Sequence, residues 1–209
     1  FTQFHETDGT VDGSKLNAPI GTDLGAGDFT IEFWNKRVLS SSSGDTTAGL
    51  VFYGPNATSN VSWKYSSGAL DYFLPDFGFA IWITSVWSFN CNVSFWNGAD
   101  DSITSFGQVS SINWHHVAIV RSGSTITGYL DGVSFGTHTS SNNYSATDCS
   151  IGSLENNAEH MNGYISNFRI VVGTAVYSSN FTPPTTPLTN ITNTKILCCQ
   201  STTSATDAV

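Results

Sequence analysis

Two tryptophans, Trp82 and Trp96, share one parity of an alternating stretch with Asn90, Asn92 and Ser94. From Phe77 to Trp96 the odd positions other than Ser85 are apolar (Phe77, Phe79, Ile81, Ile83, Trp87, Phe89, Cys91, Val93, Phe95), and the even ones other than Val86 are small or polar apart from these indoles. Successive side chains of a strand point to opposite faces, so the odd face belongs to a core and the even face lies outside it. A flat indole beside amides and hydroxyls is the chemistry that holds a sugar. The ring stacks on the apolar face of the pyranose, and the polar groups take its hydroxyls. Trp82, Trp96, Asn90 and Asn92 are therefore the candidate ligand-binding residues. Burial beneath a loop, a second layer or a neighbouring subunit has an equal claim on those rings.

Asp100 and Asp101, in the loop after Trp96, and Asp71 and Asp76, near an earlier hairpin, offer hard oxygens of the kind calcium accepts. No complete liganding motif joins them, and loop aspartates ordinarily cap turns through their own backbone. No other cofactor is expected. Catalysis finds less support. A retaining glycosidase needs two carboxylates projecting from one strand into a cleft, and no E-x-D-x-E run occurs. Asp28 and Glu32 share a face, but at the entrance of a strand. The His115-His116 pair reads as part of a strand with one ring on each side, the buried one bonded to backbone beside Trp114 rather than serving a triad. No catalytic residue is expected. Adjacent Cys198 and Cys199 should face opposite sides of a strand, which argues against zinc. Four cysteines leave room for one or two disulfides on count alone, but Cys91 and one of that pair sit in apolar alternation and are expected as free, partly buried thiols.

The elements that would carry these residues are strands. Asn113–Arg121, Thr125–Leu130 and Val133–Gly136 are separated by Ser-Gly and Asp-Gly turns, the pattern of an antiparallel meander. Cys149–Gly152 adds a short strand and Met161–Gly173 a long one. Phe181–Leu188 holds three prolines, so it cannot be a central strand and should lie as an extended strap over the surface. Earlier, Phe29, Ile31 and Phe33 give a strand with one apolar face, with Trp34 on the outward side. Leu50–Tyr53 is a short buried strand, and Val61–Leu74 is a hairpin turning at Ser67-Gly68. The alternation over Phe77–Asn97 breaks near Ser85, which predicts a bend or bulge. Trp87 and Trp114 are assigned to the core. Thr2–Gly27 reads as loop plus one edge strand.

Composition fits a single β domain. Of 209 residues, 11% are charged and the polar positions are mostly Ser, Thr, Asn and Gly. Seven scattered Lys and Arg against a net charge of −9 leave no phosphate-binding footprint, so nucleic acid is not an expected partner. No apolar run reaches the ~20 residues of a membrane-spanning helix. Six N-x-[ST] sequons (Asn56, Asn60, Asn92, Asn143, Asn180, Asn190) are expected by chance in a chain this rich in Asn, Ser and Thr. The first residue is Phe1 and the last ten are Ser/Thr/Ala-rich, which reads as a piece cut from a longer protein.

The strings WHHVAIVRSG, YLDGV, IGS, NGYISNFRIVVGTAVYSSNFTPPTTPLT and KILCCQS, with GDFTIEFW before them, resemble the laminin-G-like branch of the concanavalin A-like jelly rolls. Within that branch the likeness is to copies in structural proteins of marine and cyanobacterial phages. The resemblance implies an all-β, two-sheet antiparallel jelly-roll sandwich over residues 1–200, with 1–26 a divergent N-terminal edge and 201–209 a tail or linker. It also implies a non-enzymatic virion module, a capsid-decoration, head-fibre or tail-fibre domain at the virion surface, folded in the host cytoplasm. Its partners would be other virion proteins, host surface glycans and further copies of itself, without membrane insertion. The alternative is a carbohydrate-binding module or adhesin domain of a secreted bacterial protein.

Overall fold

The computed structural model describes residues 2–4, 16–37, 48–53, 62–66, 69–73, 80–85, 91–96, 103–109, 113–141, 143–144, 147–151 and 163–201. Among them every regular element is a strand. One sheet holds β1 (Thr2–Phe4), β3 (Phe29–Arg37), β10 (His115–Ser122), β11 (Thr125–Leu130), β12 (Val133–Thr139), β14 (Gly163–Val172) and β15 (Thr194–Cys198). The other holds β2 (Leu16–Pro19), β4 (Ala48–Tyr53), β7 (Ala80–Ser85), β8 (Cys91–Trp96), β9 (Ile103–Val109) and β13 (Asp148–Ile151). A separate hairpin pairs β5 (Ser62–Ser66) with β6 (Ala69–Phe73). The first sheet runs β1-β14-β3-β10-β11-β12, with β15 also on β14, and the second runs β2-β13-β4-β7-β8-β9. Every pairing among the described residues is antiparallel, both in hairpins such as β10-β11, which closes through a two-residue turn, and between strands distant in the chain, such as β1 and β14.

The core lies between the two sheets. Phe29, Ile31 and Phe33 of β3, Val117 and Ile119 of β10, Ile126, Ile165, Phe168 and Ile170 meet Ala18, Ile20, Leu24, Tyr144, Cys149 and Ile151, all buried. The predicted meander is β10-β11-β12. Its second turn is Asp131-Gly132, with φ 49° and 78°, the paired positive values of a tight hairpin turn. At one end of the inner face Arg121 is buried. Its guanidinium lies 5.4 Å from the Tyr144 ring and donates to the carbonyls of Gly25, Gly123 and Ser140.

One irregularity in β14 decides what its two faces carry. Ser166 pairs with Trp34 but Arg169 pairs with Glu32, so β14 has one residue more than β3 across that interval. The extra residue brings Asn167 into the left-handed region at φ 52°, which asparagine tolerates. Alternation is reset there. Phe168 enters the core beside Phe33, with ring centroids 6.0 Å apart, and Arg169 lands outside. The Asn167 side chain then ties three segments: its Oδ1 accepts from Leu188 N and Gln200 Nε2 at 2.9 Å each, and its Nδ2 donates to Ser166.

Residues 173–193 contain no strand and lie across the outer face of the first sheet, as the prolines predicted, starting before Phe181. The strap is fastened along its length. Val176 N donates to Thr30 Oγ1, whose hydroxyl donates to Thr174 O, and Phe181 N donates to Gly132 O at 2.9 Å. A Cβ at Gly132 would collide with the Phe181 carbonyl, so only glycine allows this crossing.

Several expectations are corrected. The N-terminal segment contributes two strands rather than one: β1 pairs with β14 and β2 with β13, because Leu16 and Ala18 reach the core edge on alternate positions. Within Phe77–Asn97, β7 and β8 pair antiparallel, so the direction reverses where a bend or bulge was predicted. Ile83 pairs with Val93, so odd positions oppose odd ones and the alternation survives the reversal. Trp114 is half-buried before β10, near Tyr164, and stays out of the core, while Trp87 lies outside the described residues. Cys198 and Cys199 do not diverge. Cys199, at φ 61°, follows the end of β15, and both thiols are buried with their Sγ atoms 3.6 Å apart. Contact with Cys199, then burial, pushes the Cys198 thiol well above its usual range, so it stays protonated. Cys149, Cys198 and Cys199 are in no disulfide, as expected for one of the vicinal pair.

Candidate functional site

The face of Trp82 and Trp96 follows from register, starting at two residues buried in the core. Cys149 and Ile151 of β13 pair with Phe52 and Leu50 of β4. Leu50 and Ala48 pair with Ile81 and Ile83 of β7, and these pair with Phe95 and Val93 of β8. Cross-strand partners share a face, so Ile81, Ile83, Val93 and Phe95 are at core-face positions. Trp82, Thr84, Asn92, Ser94 and Trp96 are at positions of the opposite, outer face. Trp82 pairs with Ser94 and Trp96 with Ala80, which makes the tryptophans diagonal neighbours, about 7–8 Å apart at the backbone. Asn90, Asp76, Asp100 and Asp101 lie outside the described residues, and Asp71 stands in β6 opposite Lys64.

The outer face of the first sheet holds a site that sequence reading missed. Glu32 is fully buried there. Arg169 donates to its Oε1 from Nε at 2.9 Å and from Nη2 at 2.5 Å, and Tyr177 of the strap donates to its Oε2 at 2.7 Å. The third guanidinium nitrogen, Nη1, reaches Thr189 O at 2.9 Å. His116 Nε2 sits 3.3 Å from Glu32 Oε2 but off the line of a hydrogen bond, and among the described residues neither ring nitrogen has a hydrogen-bond partner. Burial alone would raise the Glu32 carboxyl above its usual 4.5, but His116, Arg169 and Tyr177 together hold it below. Burial and the Glu32 charge push the Tyr177 phenol upward, so it remains a donor.

Rings seal this network from above. Tyr177 stacks on Phe181 with centroids 3.6 Å apart and planes 5° from parallel, and both pack against Tyr129. His116 lies edge-on between Trp34 and Phe181. The predicted histidine arrangement is thus revised: one ring does go to each side, but the buried one faces Glu32 instead of backbone. His115 Nδ1 contacts Asp131 Oδ2 at 2.7 Å. Asp28 and Glu32 also part company, since Asp28 Oδ1 accepts from Gly123 N at the β10-β11 turn.

The string Gly132-Val133-Ser134-Phe135-Gly136 fits G-x-S-x-G, a match the sequence reading passed over. It carries no nucleophile elbow, because Ser134 lies in strand β12 after a hairpin turn, whereas the elbow is a strand-to-helix turn. Among the described residues no group of three or more His, Cys, Asp or Glu is placed to hold a metal.

Two antiparallel sheets over a shared core define a lectin-like jelly-roll sandwich. Within that class the chain belongs to the concanavalin A-like lectin/glucanases superfamily, as a laminin G-type member matching over residues 8–175. The strap beyond Ala175 lies past that match. Among solved structures, the heptameric SAP-like pentraxin of Limulus polyphemus shares the fold with a TM-score of 0.56 and 16% identity, over 84% of this chain and 76% of that one. A Bacteroides ovatus protein described as a candidate carbohydrate-binding protein aligns with a TM-score of 0.51 and 13% identity, over 84% of this chain and 43% of its own. At such identities the likeness is one of fold. A search of curated proteins found no match.

Proposed function

We propose that this chain is a non-enzymatic glycan-recognition domain at the surface of a phage virion, part of a capsid-decoration, head-fibre or tail-fibre protein. Other virion proteins and host surface glycans would be its partners. The observation that carries the recognition step is the register that sets Trp82 and Trp96 on one outer face with Asn92 and Ser94. An indole pair flanked by an amide and a hydroxyl suits the two sides of a sugar, one apolar and one polar. The virion setting draws its support from the sequence strings that resemble phage structural proteins. The non-enzymatic reading draws support from Glu32, which is saturated by Arg169 and Tyr177 beneath the strap and, among the described residues, has no second carboxylate bonded to it. Calcium at Asp71, Asp76, Asp100 or Asp101 would be a separate, metal-dependent form of the reading, which the chelator arm distinguishes.

A glycan array probed with the purified chain, with calcium and with chelator, tests it beside a Trp82→Ala/Trp96→Ala variant. Glycan binding that disappears in the folded variant supports the reading. A folded protein that binds no glycan overturns it and leaves an architectural role. The same tryptophan face would equally serve a carbohydrate-binding module or adhesin domain of a secreted bacterial protein. Neighbouring genes separate the two, since capsid or tail genes accompany only the first.

A further inference from the structure

The strands around Trp82 and Trp96 carry no charge at all. Ala48–Tyr53, Ala80–Ser85, Cys91–Trp96 and Ile103–Val109, four adjacent strands of the second sheet, contain no Asp, Glu, Lys, Arg or His on either face. The chain as a whole has a net charge of −9. We infer, resting on the recognition reading above, that the ligand of this face is a neutral glycan chain spanning at least two sugar rings, bound without a metal ion.

Three features of the register carry this. Gly49 and Ser94 flank Trp82 in its cross-strand row, and Ala80 flanks Trp96 in its own. Trp82 therefore holds a row position between two small residues, and Trp96 one between Ala80 and Ile103, so the two positions lie on a stretch of the face that is apolar or small. Ser94 pairs onward with Ser105, and Asn92 with Gln108, so hydroxyls and amides continue across β8 and β9. Such groups both donate and accept, matching sugar hydroxyls, whereas a uronate or sulfate would meet no cation on four strands and would be repelled by the acidic whole. The diagonal of about 7–8 Å between the tryptophans exceeds one ring-to-ring stacking contact, so engaging both takes an extended ligand. Calcium needs several carboxylate or carbonyl oxygens, and these strands supply no carboxylate.

The test uses the full chain in affinity electrophoresis and calorimetry. Probes are neutral polysaccharides (β-glucan, xylan, mannan), acidic ones (alginate, polygalacturonate), and monosaccharide against tetrasaccharide competitors, each with and without EDTA. The expected result is binding to a neutral polysaccharide that survives EDTA, is competed better by tetrasaccharide than by monosaccharide, and weakens about ten-fold or more in Trp82→Ala and in Trp96→Ala. Ser94→Arg and Asn92→Ala read the same face should a tryptophan variant fail to fold, and both are expected to weaken neutral binding. Binding confined to acidic glycans, or binding that EDTA abolishes while the Trp82 and Asn92 variants keep it, overturns this inference but leaves glycan recognition standing. Absence of binding to either class overturns both.

Discussion

On the first sheet the outer face is roofed by the chain's own strap, and beneath it lie Glu32, Arg169 and His116. On the second sheet the outer-face positions hold Trp82, Trp96, Asn92 and Ser94, on strands without a charged residue. The contrast is one of internal demand. A buried carboxylate and guanidinium must find partners within the molecule, and here they bind the strap as well as each other, so that face is committed to closing the fold. Indoles and amides make no such demand, so on the reading proposed above the second face is the one left for a ligand.

The comparison breaks most severely at Glu32. Glu32→Ala leaves Arg169 buried without its partner and is expected to cost about 3–5 kcal/mol, read as a lowered urea midpoint. Replacing both, as Glu32→Leu with Arg169→Met, should restore most of that loss, because the cost lies in the orphaned charge. Acid tests the same pair. The folded carboxyl is held below its usual 4.5, so its stabilisation is complete above that value and is lost as pH falls through the lowered one. Thermal midpoints measured from pH 7 to pH 2 should drop more steeply for wild type than for Glu32→Gln.

Gly132→Ala comes next. With φ at 78° and the Phe181 carbonyl in the way, the added methyl should lift the strap at a cost on the order of 3 kcal/mol. Hydrogen exchange at Phe181 N, which donates to Gly132 O, should then accelerate. Tyr177→Phe keeps the stack on Phe181 and loses only the hydrogen bond to Glu32, about 1–3 kcal/mol in denaturant melts. The smallest stability change is expected for Trp82→Ala, within about 1 kcal/mol, together with the loss of glycan binding. A larger destabilisation there would mean that the second face, too, is packed by its own protein.

Much of the first sheet was legible from local pattern. Phe29, Ile31 and Phe33 alternate, Asp131-Gly132 announces a tight turn, and the prolines after Phe181 forbid a ladder, so β3, the β11-β12 hairpin and the strap follow from near neighbours in the chain. The parity of Trp82 and Trp96 was legible for the same reason, and it survived the unforeseen reversal between β7 and β8 because odd positions pair with odd ones. What escaped depends on the third dimension. Arg169 meets Glu32 across 137 positions, and only after the extra residue at Asn167 shifts β14 by one. Had the alternation run unbroken from Ile165, Phe168 would face outward and Arg169 inward. Cys199 escaped likewise, since its left-handed backbone, invisible to alternation, folds its thiol back to Cys198.

The sequence by itself determined the strand periodicities, the turns, the proline-rich strap and the uncharged strands that carry two tryptophans, because each is a property of adjacent residues. Only the tertiary structure decided which outer face the strap covers and which carboxylate the arginine neutralises. The second depends on a single bulge that resets the register of β14 against β3, and register between distant strands is settled by packing, not by local preference.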